Sequence, residues 1–416
     1  MKIISLLAFA ISGVGVFPKV LAHPHRTTRP DHVVKFRRNQ SVDDMTESPT
    51  LVQLYDQAHE AVQYEVWKHD QTTACTSEKL VFRREYGSLT RQEKLDYINA
   101  VKCLQTLPAR TPANVSSGAR SRFDDFIVTH IQQTLSIHFT GNFQPWHRWF
   151  VYQYEKALRD ECGYTGYQPY WDWPKYASAP QDSPMFDGSE TSIGGNGNYI
   201  PHDGAVIVPP PGTGGINISL PSGLGGGFVT TGAFAHMQVN LGPVVPLQDG
   251  TPTGPEFGLG YNPRGLKRDL GPLANTRFAN YTTVLDLLQK PDIDCYRYLL
   301  DGTPWEPEIG PHGGIHYTIG GDPGGDLFTG PGDPAFYLHH SMMDRMWSTW
   351  QALGGFGGNR FTNFGTGNYS HVTWGNFPPS DFTKLTDKID MGYAAPSTTI
   401  DKVMSTVSEE FCYFYF

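Results

Sequence analysis

The chain has 416 residues, of which 18% are charged and 39% are hydrophobic, and its formal net charge is −9. An acidic protein is a poor partner for nucleic acids and for anionic surfaces, and no basic run in the sequence changes this, so neither is expected as a partner. The length suits one large domain or two ordinary ones.

The N-terminus has the pattern of a secretory signal. Met1 and Lys2 precede an apolar run that extends to about Phe17, and Ala22 ends a Val-Leu-Ala sequence typical of signal-peptidase sites. We therefore predict a signal peptide at residues 1–22 and a secreted protein. The run is too short for a membrane anchor, and no later segment is long and apolar enough to span a bilayer, so no membrane association is expected.

Residues 23–49 are predicted to be an N-terminal extension. Their basic run, residues 35–38 with the sequence KFRR, is typical of a dibasic processing site. A propeptide would then end near Arg38, and the mature chain would begin near Asn39. The alternative interpretation is a solvated basic patch.

The glycosylation and cysteine patterns agree with export. Sequons of the type Asn-x-Ser/Thr lie at Asn39, Asn114, Asn217, Asn280 and Asn368. The cysteines are Cys75, Cys103, Cys162, Cys295 and Cys412. An odd number in a secretory context leaves at least one thiol over, or paired with another molecule, and makes two disulfides plausible. We predict that Cys75 pairs with Cys103, because both flank one helical hairpin.

Helix and loop signals divide the chain. Residues 50–175 are predicted to be mostly helical, with Thr90 as the N-cap of a helix whose apolar residues fall near one face. Residues 178–275 are rich in glycine and proline, which predicts long ordered loops and short strands. Loops of this length are usually functional or disordered, so we expect this region to form a wall of the substrate entrance. The alternative is a surface insertion with no role in chemistry.

The first of two histidine triplets lies in the helical region and consists of His130, His138 and His147. His130 shares the i, i+3, i+4, i+7 spacing of the apolar residues in 123–134, so its side chain is expected to point inward. His138 follows in a loop, and residues 141–145 end one helix and begin the next, which carries His147. Each histidine alone would most often be a satisfied core residue.

The second triplet consists of His312, His316 and His340. His312 and His316 are four positions apart, so a helix stacks them on one face. The two glycines between them are poor helix formers, each costing about 1 kcal/mol relative to alanine, which indicates a close approach of substrate or of another helix. His339 and His340 project about 100° apart on a helix, so only one of them is expected to bind the same ion. Neutral imidazole suits copper in both redox states, and the two triplets therefore predict one copper ion each.

Two longer motifs place these histidines in a known family. Residues 138–155, HFTGNFQPWHRWFVYQYE, and residues 333–344, DPAFYLHHSMMD, resemble the two copper signatures of the tyrosinase family of type 3 copper proteins. The resemblance covers residues 50–416. It implies a mainly α catalytic domain, in which a central four-helix bundle holds a binuclear copper site beside long Gly/Pro-rich loops and a few short strands. In the second signature His340 is the ligand and His339 is not.

The resemblance implies a copper-dependent polyphenol oxidase whose partners are O2 and a small phenolic substrate. Members that hydroxylate monophenols often have asparagine after the first ligand of the second triplet, where it acts with a glutamate to orient a water that deprotonates the phenol. Here that position is Gly313, whereas Glu308 is present. A catechol is easier to deprotonate, so we expect oxidation of o-diphenols to o-quinones with weak or no monophenol hydroxylation. Alternatively, Glu308 is only a charge at a helix N-terminus.

Three other positions acquire an interpretation from the resemblance. Ser136 stands where many fungal members have the cysteine that forms a thioether with the second ligand, so no such crosslink is expected. Leu327 falls where relatives place a residue over one copper, which makes it a candidate gate, with ordinary loop packing as the alternative. Residues 413–415 resemble the tyrosine motif at the end of the catalytic core, so we expect a short form without the C-terminal domain that plugs longer members.

Other functions use the same residues. A tyrosinase with real monophenolase activity is one alternative, and an o-aminophenol or hydroxyindole oxidase of pigment or secondary-metabolite synthesis is another. A haemocyanin-like O2 carrier also uses two histidine triplets, but we expect no room in this chain for the β-domain that covers the carrier's site. A binding module that has lost its metal is disfavoured because all six ligands are present.

Overall fold

A computed structural model describes most of the chain after residue 45. The described residues are 46–69, 73–207, 217–245, 247, 250–302, 308–362, 382–408 and 411–416. All of them lie in one compact unit, Gln40–Phe416. The predicted signal peptide at residues 1–22, the processing site near Arg38, and the sequons at Asn39 and Asn368 lie outside the described residues.

Helices dominate the fold, which confirms the predicted mainly α class. They are α1 (Pro49–His69), α2 (Arg91–Thr106), α3 (Arg122–Ile137), α4 (Phe143–Cys162), α5 (Pro272–Phe278), α6 (Tyr281–Leu288), α7 (Ile293–Asp301), α8 (Gly310–Ile319) and α9 (Ala335–Leu353). Helices α3, α4, α8 and α9 form the central bundle, in which α9 packs against both α4 and α8, and α3 packs against α4. Of the helices in the described part of the chain, none is both long and apolar enough to cross a bilayer.

The strands are short and pair two by two. They are β1 (Val81–Arg83), β2 (Gly197–Tyr199), β3 (Ala205–Ile207), β4 (Ile218–Leu220), β5 (Gly226–Val229), β6 (Gln238–Val239), β7 (Arg264–Gly265), β8 (Lys388–Ile389), β9 (Thr398–Thr399) and β10 (Tyr413–Tyr415). The pairs β2 with β5, β3 with β4, β6 with β7 and β8 with β9 are antiparallel. Strand β1 runs parallel to β10, with Phe82 opposite Phe414, so the last described residues lie beside an early part of the domain.

Among the described helices, α2 and α3 begin at capping boxes. Thr90 accepts from the Glu93 backbone N–H at the start of α2, and the Glu93 carboxylate accepts from the Thr90 N–H in return, which confirms the predicted N-cap. Ser121 and Asp124 make the same reciprocal pair at the start of α3. Such a cap contributes about 1 kcal/mol, and it determines where α3 begins and therefore which face its later residues occupy.

A buried network of charges joins β1 and β10 to α4 and α9. Arg83 donates from Nε to Glu155 at 2.9 Å and from Nη1 to the Tyr415 hydroxyl at 2.8 Å. The Tyr415 hydroxyl donates to Asp344 at 2.7 Å, and Arg148 Nε donates to the other oxygen of Asp344 at 2.5 Å. Removing one partner of a buried ion pair costs about 3–5 kcal/mol, so this network ties the two bundle helices firmly together.

The disulfide pairing predicted from the sequence is wrong. Cys75 bonds to Cys412 and Cys103 bonds to Cys162, while Cys295 is a free thiol. Cys75 follows α1 and meets Cys412 because β1 pairs with β10. Cys103 lies on α2, which packs against α4, the helix that ends with Cys162. Both pairings depend on contacts between distant parts of the chain, which proximity in sequence did not indicate.

The described part of residues 178–275 consists mainly of short strands and loops, as predicted, with two short 3-10 helices and the start of α5, and it packs against the entry to α9. Arg268 is buried and donates from Nε and Nη2 to the two oxygens of Asp333 at 2.8 and 2.7 Å. The same carboxylate accepts from the Ala335 backbone N–H at 2.8 Å, where α9 begins. The glycine-rich segment therefore positions the helix that carries His339 and His340. Its role as an entrance wall stays a prediction.

Candidate metal centre

The first histidine group lies at the junction of α3 and α4. His130 is on α3, His138 is the residue that ends this helix, and His147 is on α4. All three are buried, and one ligand atom of each lies within 4.8 Å of the others. The inward orientation of His130 follows the apolar face of α3, as its spacing predicted.

Backbone carbonyls orient the three rings of the first group. The Nδ1 atoms of His130, His138 and His147 lie 2.8, 2.9 and 2.8 Å from the carbonyl oxygens of Phe328, Thr134 and Phe143, respectively. A carbonyl only accepts, so each Nδ1 carries the ring proton and each Nε2 keeps its lone pair. Within the described part of the chain these three buried Nε2 atoms have no hydrogen-bond partner. The three Nε2 lone pairs are therefore available to bind one ion.

The second group lies between α8 and α9 and contains His312, His316, His339 and His340. His312 and His316 occupy one face of α8, as their spacing predicted. The Nε2 atoms of His316 and His340 are 3.3 Å apart. Four histidines on two facing helices therefore offer ligand atoms within 4.8 Å of one another.

His339 is part of this second group, although only three ligands were predicted. Its ring lies 4.7 Å from that of His316 and 5.5 Å from that of Trp173, measured between centroids. Both of its ring nitrogens are buried, and neither has a hydrogen-bond partner in the described residues. The family motif, rather than these distances, singles out His340 as the third ligand.

The two groups face each other across a short gap. The rings of His138 and His312 are nearly parallel with centroids 5.8 Å apart, and those of His147 and His340 are 4.5 Å apart. The Phe143 ring lies 4.6 Å from His147 and 4.5 Å from His312, so it is wedged between the groups. Two ions held here would share one enclosed site.

Burial lowers the pKa of every histidine in the two groups. The pKa of His138 falls to about 3, first because burial removes hydration and second because a charged His312 would repel it. Burial also lowers the pKa of His312 to about 3. The pKa values of the others are well below 6.5, with burial as the largest cause: His130, His147, His316, His339 and His340. The neutral imidazole, which is the form that binds metal, is therefore favoured.

This arrangement fits two transition-metal ions. The donors are all imidazole nitrogens, and unpartnered buried lone pairs are expensive unless an ion or a donor satisfies them. Neutral imidazole is a ligand for copper, zinc, iron and nickel, while a site built for calcium or magnesium would offer oxygens. The residues present therefore fit the binuclear copper centre that the sequence motifs predict.

Glu308 and Gly313 lie at the start of α8. The Glu308 carboxylate is 3.6 Å from Nη2 of Arg277, and the two side chains are 45% and 35% exposed. Gly313 is in the first turn of α8, where an added Cβ would lie 3.3 Å from Cβ of Ile309. The structure thus gives Glu308 a cationic partner that the sequence did not indicate.

The structure also places Ser136 and Leu327, for which the family resemblance gave expectations. Ser136 is exposed, and its hydroxyl donates to the carbonyl of Gln133 at 2.9 Å. Leu327 is half-buried and directly precedes Phe328, whose carbonyl orients His130. Phe328 contributes its backbone carbonyl, which every residue type has, so its identity in the sequence could not have indicated this contact.

Fold and site together define a helical protein with two facing histidine groups that form a candidate metal centre. The family model for the common central domain of tyrosinase matches residues 120–353. The tyrosinase-like protein orsC of Emericella nidulans is 44% identical over 293 residues, which are 67% of this chain and 76% of that protein. The N-acetyl-6-hydroxytryptophan oxidase ivoB of the same organism is 36% identical over 356 residues, which are 82% of this chain and 93% of that protein.

A solved structure is similar to this chain over most of its length. A glycine-to-asparagine mutant of polyphenol oxidase from Thermothelomyces thermophila is 65% identical, covers 90% of this chain and 100% of that chain, and superimposes with a TM-score of 0.86. The chain belongs to the tyrosinase family. This confirms the predicted family and the prediction of an oxidase enzyme. Proteins of this family bind a binuclear copper centre, and the two histidine groups provide the residues for one.

Proposed function

We propose that this chain is a copper-dependent oxidase that uses O2 to convert o-diphenols to o-quinones, with weak or no hydroxylation of monophenols. The observation that carries the proposal is that two histidine groups, each with its ligand atoms within 4.8 Å of one another, face each other with rings as close as 4.5 Å between centroids. We assign His130, His138 and His147 to one copper ion, and His312, His316 and His340 to the other. When bound, the copper pair supplies the redox chemistry that couples oxidation of two catechols to reduction of one O2 to two waters.

The protein itself holds the histidine ligands in the tautomer and orientation that bind metal, and it excludes water from the site. Carbonyl acceptors hold the protons of the first group on Nδ1, so Nε2 needs neither deprotonation nor rotation before it binds. Phe143 and Phe336 line the histidines, and the Phe336 ring stacks on His340 with centroids 4.0 Å apart. Such apolar walls exclude water and strengthen the electrostatic interactions inside.

Glu308 and Gly313 support the preference for diphenols. Gly313 has no side chain with which to hold a water beside the site. The Glu308 carboxylate is half exposed and lies 3.6 Å from Nη2 of Arg277, so its nearby cationic partner is an arginine side chain. Because a monophenol is harder to deprotonate than a catechol, the loss of a positioned base penalises monophenols more.

A hydroxyindole oxidase is the second candidate function. The observation that favours it is the 36% identity to a relative named N-acetyl-6-hydroxytryptophan oxidase. A 6-hydroxyindole is a phenol fused to a second ring, so it would use the same copper site with a wider entrance. An o-aminophenol substrate and real monophenolase activity are alternatives on the same residues.

We also propose that the protein is secreted. The apolar segment within residues 1–22 supports export, and so do the disulfides Cys75–Cys412 and Cys103–Cys162, which persist in oxidising compartments. Asn114 and Asn217 are exposed and accessible to a glycan. Asn280 is fully buried and caps α6, so the folded protein has no room for a glycan there.

The test is O2 uptake by the copper-loaded protein, with catechols, monophenols, o-aminophenols and hydroxyindoles supplied side by side at equal concentration. Fast uptake on catechols, with a lag or no uptake on monophenols, is the expected result. Monophenol rates comparable to catechol rates would overturn the diphenol preference. A preference for hydroxyindoles would favour the second candidate, and reversible O2 binding without turnover would contradict an oxidase.

A further inference from the structure

Asp301 lies beside the second histidine group. Its Oδ1 atom is 3.6 Å from Nδ1 of His312, and the side chains of Asp301 and His312 are only 3% and 4% exposed. A carboxylate buried to this extent is poorly screened by water. Sequence reasoning did not single out this residue, which is simply the last residue of α7.

His312 differs from the histidines of the first group in what faces its Nδ1. His130, His138 and His147 each rest Nδ1 on a neutral backbone carbonyl. A carbonyl fixes the orientation and tautomer of the ring. A carboxylate does the same and also adds a negative charge, which raises the basicity of the opposite ring nitrogen.

Two close backbone approaches hold Asp301 in this place. A Cβ added at Gly302 would lie 2.0 Å from the carbonyl oxygen of Glu308, and one added at Gly310 would lie 2.1 Å from that of Leu300. Both glycines also have positive φ, +71° and +63°. Only glycine lets the end of α7 press against the start of α8 in this way, which sets Asp301 next to His312.

We propose that Asp301 is a positioning residue for the second copper ion. Its carboxylate lies 3.6 Å from Nδ1 of His312, longer than a hydrogen bond, where it attracts the Nδ1–H, keeps Nε2 directed at the ion, and offsets part of the ion's positive charge. The inference rests on the proposed function, because it requires that the second histidine group binds copper. Its field also reaches His138, but as the weakest of the influences on that residue.

The test separates the two sites with single-site backgrounds. His147→Ala leaves only the second group complete, and His316→Ala leaves only the first. Copper(II) is titrated into each copper-free protein against a competing chelator, with and without Asp301→Asn. We expect Asp301→Asn to weaken copper binding about 10–100-fold in the His147→Ala background and to change it little in the His316→Ala background.

The matched control is Asp124→Asn. Asp124 is another buried carboxylate, but it caps α3 instead of facing a histidine, so this variant should leave the second site's affinity unchanged. Unchanged affinity in Asp301→Asn, or an equal loss in both backgrounds, would overturn the inference. Wild-type protein that binds no copper would overturn the proposed function as well, whereas two bound ions with no effect of Asp301→Asn would overturn the inference alone.

Thermal unfolding of the copper-free variants distinguishes a folding defect from a loss of copper affinity. If Asp301→Asn does not fold, Asp301→Glu retains the charge on a longer side chain and displaces it relative to His312. This variant should bind copper at the second site more weakly than the His147→Ala parent while unfolding at a similar temperature. Parental affinity in folded Asp301→Glu would contradict a positioning role.

Discussion

The imidazole rings of His147 and His340 stack with their centroids 4.5 Å apart and their planes at 16°. Each ring belongs to a different histidine group, and helices α4 and α9 carry them. One residue beyond His147, Arg148 donates to Asp344, which is one turn beyond His340, at 2.5 Å. The distance between the two groups is therefore determined by the helix pair that the buried charge network holds together.

Loss of one ligand should empty one site and stop the reaction. His147→Ala removes a lone pair from the first group, and His316→Ala removes one from the second, so each variant should bind about one copper ion, whereas the wild type should bind two. Quinone formation should vanish in both, because the reaction needs the pair of ions. Metal analysis measures the copper content, and O2 uptake measures turnover. His69→Ala, on the exposed end of α1, is the control, and retained turnover in either ligand variant would contradict the assignment.

Gly313→Asn should increase the rate on monophenols relative to diphenols. The new amide would add a group able to orient a water near the start of α8, and its Cβ would be tight against Ile309 at 3.3 Å but not excluded. The measurement is the ratio of initial O2 uptake rates on a monophenol and the matching catechol. Gly313→Ala adds the Cβ without the amide. An unchanged ratio in the asparagine variant, or the same change in the alanine variant, would count against the argument.

The two adjacent glycines of α8 should respond differently to alanine. A Cβ at Gly314 would lie 2.5 Å from Cβ of Phe278 on α5, whereas a Cβ at Gly313 meets only Ile309 at 3.3 Å. Gly314→Ala should therefore lower the free energy of unfolding by about 1–3 kcal/mol through overpacking. Gly313→Ala should be neutral or stabilising by up to about 1 kcal/mol, because alanine favours helix. Urea unfolding of the copper-free proteins tests this, and equal effects would refute it.

Removal of the Cys103–Cys162 disulfide should destabilise the protein substantially. The bond closes a loop with a sequence separation of 59, and loss of a crosslink of this kind costs about 2–5 kcal/mol by freeing the unfolded chain. The double substitution of both cysteines by serine is compared with Cys295→Ser, which removes the free thiol. Thermal or urea unfolding should show a large loss of stability only in the variant that lacks both Cys103 and Cys162. A comparable loss in Cys295→Ser would argue against the observed pairing.

The copper-free protein should lose stability on acidification. Burial lowers the pKa of His138 in the folded state to about 3, against 6.5 for an unperturbed histidine. Between these values the unfolded chain binds a proton that the folded protein does not, so the free energy of unfolding falls as pH decreases below about 6.5. His138 alone should contribute about 1 kcal/mol between pH 7.5 and 5.5.

The measurement is urea unfolding of copper-free wild type and His138→Gln at both pH values. The variant should show a pH dependence smaller by the contribution of that one histidine. A variant that loses the same stability at both pH values, with the wild-type pH dependence intact, would show that His138 does not titrate between the folded and unfolded states.

The sequence predicted the features that depend on neighbouring residues. Thr90 caps α2 as expected, His130 follows the apolar face of α3, and His312 and His316 share one face of α8. Helix periodicity and capping involve residues only a few positions apart, so a linear pattern contains them. The two long motifs also indicated the family.

Only the tertiary structure decided which distant residues meet. The partner of Cys75 is Cys412, because β1 lies beside β10, and no local pattern contains that pairing. Asp301 faces His312 because α7 docks on α8 through close backbone approaches. Glu308 is paired with Arg277 because folding also brings these two distant residues together. By itself the sequence determined the imidazole donors and the helices that carry them, since side-chain type and helical spacing are local properties. The packing of those helices decided which carboxylate, carbonyl or cation surrounds each ligand, because such contacts exist only after the chain has folded.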